Sequence, residues 1–284
     1  MTRVRVLEPL ASGFAYPECP RWHEGALWFS DQHAGEVVVV ALDGSARVAA
    51  RVEGRPSGLG WLPDGSLLVV SMLDRQLLQL DAGELVVRAE FGQWHGGPSN
   101  DMVVDALGRA YVGNIGFDFY AGESMRPTVL TMVDVDGAVR VVAEDVVVPN
   151  GMAITPEGRL IVAESWRHQL TSFAIEPDGT LTDRAVFAEL GQDIPDGMCL
   201  DAEGAVWYAS LHDRFEVVRV APGGTVLDRV SSGTREPIAC ALGGPRGTTL
   251  FVCTSDHLRP EESTTARSGA IEVVEVDVPA AGWL

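Results

Sequence analysis

Six times along the chain the same short phrase returns: an apolar segment, a turn rich in Pro, Asp, Glu and Gly, then an alternating or wholly apolar run. The copies are "PECPRWHEGALWFSD" (17–31), "PSGLGWLPDGSLLVVSM" (56–72), "SNDMVVDALGRAYVGNI" (99–115), "VVPNGMAITPEGRLIVAES" (147–165), "DIPDGMCLDAEGAVWYAS" (193–210) and the looser "PIACALGGPRGTTLFVCTS" (237–255). Self-similarity at roughly 40 to 50 residues restricts a chain to propellers or solenoids. Each copy reads as a β-hairpin whose turn needs Gly for positive φ. Further strands follow, as in "GEVVVVALDG", "RQLLQLDAG" and "TVLTMVDVDG", with shorter fourth strands at "AVRVVAE" and "RAVFAEL". Four antiparallel strands per unit without helical periodicity predict an all-β fold, a six-bladed β-propeller occupying residues 1–284 as one domain. The N-terminal "RVRVLEP" lies outside the first unit, and "GAIEVVEVDVP" supplies late strands of the sixth. The N-terminal strand is therefore expected to close the ring beside the C-terminal ones, leaving no free edge.

Composition excludes several function classes. A formal charge of −19 opposes a nucleic-acid partner, because that affinity is built on basic phosphate contacts. All 21 basic residues are arginines, and the absence of lysine removes Schiff-base chemistry and a P-loop. No segment approaches the ~18 apolar residues of a membrane span, so a soluble, cytoplasmic protein with a small-molecule substrate is expected, its oligomeric state open. Cys19, Cys199, Cys240 and Cys253 lack CxxC spacing and read as reduced, mostly buried thiols. Neither a Gly-x-Ser-x-Gly elbow, an HExxH motif nor a complete dinucleotide fingerprint occurs.

Counting eight residues back from each hairpin glycine, one more or less in the irregular copies, gives the series Glu18, Ser57, Asn100, Asn150, Asp196 and Ile238. The innermost strand of each blade lines the central channel, so these positions form a ring around one axis. Two carboxylates and two amides converging there make a hard-oxygen site suited to Ca²⁺, Mg²⁺ or Mn²⁺. Asn and Asp before Gly are also common turn formers, but a shared register is not expected of turns alone. The second-to-third-strand loops should sit beside this ring: 31–35, 71–75, 116–127, 165–168, 211–214 and 255–268. They offer His33, His168, His212, His257, Phe117, Asp118 and Trp166, and "GQWHGGPSN" suggests a lid with Trp94 as apolar wall and His95 as polar contact.

With "YPECPRW", "SNDMVVDALGRAYVG", "VVPNGMAITPEGRLIVAES" and "PDGMCLDAEGAVWYAS" in place, the chain resembles the SMP-30/gluconolactonase/LRE family of metal-dependent propellers over nearly its whole length. That resemblance implies a divalent cation held by Glu18, Asn150 and Asp196, Ca²⁺ foremost, with Mg²⁺, Mn²⁺ or Zn²⁺ as alternatives. It implies hydrolysis of lactones or related cyclic esters, with Asp196 as base or nucleophile and Asn100 beside the metal or substrate. Asn100, Trp94, His95, Phe117, Trp166 and His212 are the expected substrate contacts. Sugar-lactone members commonly carry an arginine two residues before the asparagine, where this chain has Pro98. The missing cation argues against a polyhydroxylated or anionic sugar lactone, and Trp94, Trp166 and Phe117 near the expected mouth point to a more apolar or aromatic substrate. Isomerisation, cyclisation or phosphoester hydrolysis on the same metal, or a non-catalytic binding propeller, are the alternatives.

Overall fold

A computed structural model describes residues 5–119, 121–212 and 214–282. Among these residues the backbone forms six four-stranded antiparallel sheets, the blades of a propeller. Their innermost strands are Pro17–His23, Pro56–Trp61, Ser99–Val104, Pro149–Ile154, Ile194–Leu200 and Glu236–Gly243, one at the start of each repeat. All six hairpin glycines, Gly25, Gly65, Gly108, Gly158, Gly204 and Gly247, take φ between +71° and +87°, the left-handed turn the repeat requires.

Burial falls from the axis outward. Second strands such as Leu67–Ser71 and Ala110–Asn114 are buried throughout, whereas fourth strands such as Ala46–Arg51 expose most residues. The core is therefore a set of slabs between blades. In one of them Val103, Tyr111, Leu130 and Met132 of the third blade meet Met152, Leu160, Val162 and Phe173 of the fourth. Each such side chain contributes roughly 1.5–3 kcal/mol by leaving water.

The sixth blade is closed by the N-terminal strand Glu8–Phe14, paired antiparallel with Gly269–Glu275. Closure is as expected, but the closing strand is displaced from "RVRVLEP". Residues 3 and 4 lie outside the described residues, and Val6 makes only an isolated bridge to Ser231. Phe14 explains the displacement: it is buried edge-on against Phe29 at 4.9 Å, which fixes the register. Arg5 is drawn aside by Asp228 at 3.2 Å and Asp277 at 2.6 Å. All four cysteines are free thiols, with Cys19, Cys240 and Cys253 buried.

Two features aim the inner strands at the axis. Each breaks register with its neighbour at the ring position: Ser57, Asn100, Asn150, Asp196 and Ile238 fall inside the irregularity, and Glu18 immediately precedes it. Such bulges re-aim a side chain that regular pleating would send into a slab. Adjacent inner strands also approach backbone to backbone where glycine follows the ring residue. A Cβ on Gly58 would lie 2.4 Å from Met102 N, and one on Gly197 2.2 Å from the Cβ of Ala239. The Ser57-Gly58, Asn150-Gly151 and Asp196-Gly197 pairs thus join a polar ring side chain to the clearance that brings the next strand near.

Candidate active site

Glu18 and Asp196 lie at the axis, 5% and 2% exposed. Glu18 Oε2 accepts a hydrogen bond from the Cys19 N–H at 2.6 Å, yet burial and then the Asp101 charge push its carboxyl up to about 8. Burial, followed by the Glu18 and Asp101 charges, also holds the Asp196 carboxyl well above the ordinary range, against the Asn150 amide and the Gly197 N–H. Asp196 Oδ1 is buried and has no hydrogen-bond partner. Asn100 donates from Nδ2 to the Pro149 carbonyl at 3.2 Å, and its Oδ1 accepts from Ser57 Oγ at 3.4 Å.

Asp101 belongs to a different arrangement. Arg21 donates to its Oδ1 at 2.7 Å, and the Met102 N–H donates to the same atom at 2.7 Å. Arg21 lines a separate cavity of about 330 Å³ with Ile154, Leu200 and Gly243, at the other ends of the inner strands. The Arg21–Asp101 pair therefore lies beneath the ring, and Asp101 does not line the cavity above it.

Two buried carboxylates, one with an unpartnered oxygen, make an electrostatically incomplete site, since buried charges are ordinarily paired or coordinate a cation. Their oxygens suit a hard divalent ion. Among the described residues no cluster of three or more His, Cys, Asp and Glu side chains is placed to hold a metal. The candidate set combines two carboxylates, Glu18 and Asp196, with two amides, Asn100 and Asn150. Burial keeps the Cys19 and Cys253 thiols raised well above their ordinary range, so neither offers a thiolate.

Above the ring opens a cavity of about 450 Å³. Of the residues expected from sequence, Glu18, Asn100, Asn150, Asp196, Trp166 and His212 line it. Phe117 does not: 1% exposed, it packs on Val147 and Val148 and backs Trp166 at 5.3 Å between ring centroids. Trp94 and His95 are not cavity walls either, and the segment they occupy is not a lid. His95 is 1% exposed, stacked on Phe91, its ring nitrogens bonded to Ser99 Oγ at 2.7 Å and Thr131 Oγ1 at 3.0 Å. It is a strut under the strand that carries Asn100.

The rim loops are those the topology predicts, but other residues in them face inward. Gln32, Met72, Ile115, Phe119, Leu211, Leu258 and Arg259 line the cavity, together with Tyr16 and Val148. Choosing imidazoles and rings by chemical type passes over the aliphatic walls. His33, for example, stacks on Tyr16 at 4.4 Å while its neighbour Gln32 lines the cavity. His168 is likewise engaged elsewhere, its Nδ1 against the Asp193 carbonyl at 3.0 Å.

Residues 16–256 match the sequence profile of the SMP-30/Gluconolactonase/LRE-like region. The chain belongs to this family. It is 30% identical over 277 residues to 6-deoxy-6-sulfogluconolactonase of Pseudomonas putida, covering 92% of this chain and 91% of the relative. It is 31% identical over 196 residues to the pentonolactonase XacC of Haloferax volcanii, covering 64% of this chain and 63% of that one. Among solved structures, a calcium-binding protein, regucalcin, of Agrobacterium tumefaciens superposes with a TM-score of 0.80 at 22% identity, covering 98% of this chain and 95% of that one. That likeness places this SMP-30/gluconolactonase/LRE-like chain in the same propeller fold. No helix among its described residues is long and apolar enough to cross a membrane.

Proposed function

We propose that this propeller hydrolyses lactones of the sugar-acid type with the help of one divalent cation. The observation that carries the reading is the pair of buried carboxylates, Glu18 and Asp196, with Asp196 Oδ1 unpartnered on the wall of a 450 Å³ cavity. Membership of a family whose relatives bear lactonase names supports the choice of reaction.

Glu18, Asn150 and Asp196 would hold the cation, with Asn100 alongside. When bound, such an ion supplies Lewis-acid polarisation of a carbonyl and a lowered pKa for nearby water. The chain's own residues do the rest. Water adds to the lactone carbonyl carbon, Asp196 accepts the proton that water loses, and the ring C–O bond breaks. That proton passes to the departing ring oxygen, leaving a hydroxy acid. Asn100, tethered through Nδ2 to the Pro149 carbonyl, keeps its amide oxygen fixed at the reacting end. Trp166, Phe119 and Leu258 give the upper cavity an apolar wall.

The test is metal analysis of the purified protein together with turnover of δ-gluconolactone and a pentonolactone, before and after chelation. The expected result is activity lost to the chelator and restored by one of Ca²⁺, Mg²⁺, Mn²⁺ or Zn²⁺. A tightly bound cation with no turnover of any lactone would leave the cation site and refute hydrolysis, returning the chain to an isomerase, phosphoesterase or binding role.

A further inference from the structure

Near Asn100 the chain offers no arginine to the cavity, but the fold brings one from another blade. Arg259, in the long connection of the sixth blade, lines the same cavity as Glu18, Asn100 and Asp196. We propose that Arg259 is a specificity-determining residue that selects lactones carrying an anionic group, such as a carboxylate, sulfonate or phosphate, remote from the reacting carbonyl. The inference rests on the lactonase reading above and names its substrate class.

Arg259 has no evident work within the fold. Among the described residues no ion pair or side-chain hydrogen bond engages its guanidinium. Its neighbours differ: Arg235 meets Asp256 at 3.3 Å, and Arg267 meets Asp31 at 3.6 Å. Its backbone is nevertheless fixed. The Arg259 carbonyl accepts the Ser263 N–H at 2.9 Å, at the start of the short helix Pro260–Ala266. Pro260 and Ser263 are buried, and Ser263 Oγ is bonded to His33 Nδ1 at 2.7 Å, across the seam to the first blade. His33 in turn stacks on the cavity wall at Tyr16. Arg259 therefore lines the cavity from an anchored segment, with an exposed side chain.

Charge counting gives the same direction. Glu18 and Asp196 are the carboxylates that line the cavity, since Asp101 is engaged by Arg21 beneath it. A divalent cation matches those two charges, and the exposed Arg259 side chain is then left with water as its partner. A neutral lactone cannot match its charge; one bearing a distal anion can, through the forked hydrogen bonds a guanidinium makes to planar or tetrahedral oxyanions.

The experiment compares δ-gluconolactone with the same ring carrying phosphate or sulfonate at C6, on wild type and on Arg259→Gln and Arg259→Lys. The wild type should favour the anionic lactone, and Arg259→Gln should lower the anionic-to-neutral ratio of kcat/KM by roughly 10- to 100-fold, mainly through KM. Arg259→Lys, which keeps the charge, should restore part of it. Thermal-shift titration with gluconate and 6-phosphogluconate gives a readout free of turnover. The phosphorylated acid should bind more tightly to wild type, and that advantage should vanish in Arg259→Gln. Equal ratios and equal binding in wild type and Arg259→Gln would overturn the proposal. Absence of turnover on every lactone, with the binding difference intact, would sink hydrolysis while upholding anion selection by Arg259.

Discussion

Replacing Gly151 by alanine tests whether the spacing of the inner strands, rather than the donor set alone, builds the site. A Cβ at Gly151 would sit 2.6 Å from both the Asp196 carbonyl oxygen and the Met198 nitrogen, and 3.0 Å from Gly197 Cα. These are backbone atoms, so no side chain can swing away. Relief to an ordinary contact near 3.4 Å requires a displacement of roughly 0.8 Å, shared between the inner strands of blades four and five. Overpacking of this kind costs about 1–3 kcal/mol, offset by about 0.4–1 kcal/mol from the stiffer unfolded chain. The melting temperature should therefore fall by only a few degrees, at roughly 2–4 °C per kcal/mol for domains near this size. Function should suffer more, because the displaced residue is Asp196, and misplacement of about 1 Å can cost roughly 100-fold in rate. Gly204→Ala is the matched control. Gly204 takes φ +75°, and an added methyl there would meet nothing within 4 Å. Alanine at that position stores backbone strain of order 1 kcal/mol, away from the ring. Thermal melts, cation calorimetry and lactone turnover on both variants decide the matter. If Gly151→Ala kept wild-type cation affinity and turnover, close strand approach would not be what positions Asp196.

Three further outcomes are expected. Asp196→Asn should abolish turnover by at least about 100-fold, with a melting temperature in chelator at or above wild type because a buried charge facing Glu18 is gone; a clear drop would make Asp196 a structural group. Glu18→Gln should weaken cation binding at least roughly tenfold by calorimetry, since a hard cation loses one of two anionic ligands; unchanged affinity would remove Glu18 from the donor set. His95 gives the pH dependence. Burial, and then the Arg75 charge, depress its imidazole to about 3, with Ser99, Thr131 and the ring of Phe91 as its other neighbours. Because the unfolded chain binds that proton near the ordinary 6.5, the His95 contribution is complete above about pH 6.5 and drains away as pH falls toward 3. The loss should reach about 2 kcal/mol by pH 5, and His95→Gln should flatten that limb of a stability-against-pH curve; an identical limb in the variant would contradict it.

Blade number, strand order and the axial register are legible in the sequence because each depends on a local signal repeated nearly in phase, a left-handed glycine seven to nine residues after the ring position. That is why Glu18, Asn100, Asn150 and Asp196 can be found together, and they do share one cavity. Residues outside the repeat carry no such clock. Arg259 sits in a connection that no other described blade matches, and only the fold, with Ser263 docked on His33, brings it to the cavity. His95, between a tryptophan and two glycines, reads as an exposed loop; the turn folds it back onto Phe91, four residues before it, and Thr131 of the third blade caps its other nitrogen. The N-terminal strand closes the ring as its position predicts, but it begins later than the alternating Val and Arg suggest, where Phe14 packs on Phe29.

The closing pair also orders events in time. Phe14 and its partner Gly269 are separated by 255 positions, 269 minus 14. At roughly 5–20 residues per second, a nascent chain would hold its first strand unpaired for about 13–50 s before the matching edge emerges. Waiting strands are prone to find the wrong neighbour. "EPLASGF" is poorly equipped to do so: it opens on a charge, carries a proline that lacks an N–H, and includes a glycine at φ +94°. Its fully buried apolar contact is made by one terminal phenylalanine, with Leu10 and Ala11 only partly buried beside it, so the segment that must wait longest adheres mainly to the pocket built to receive Phe14.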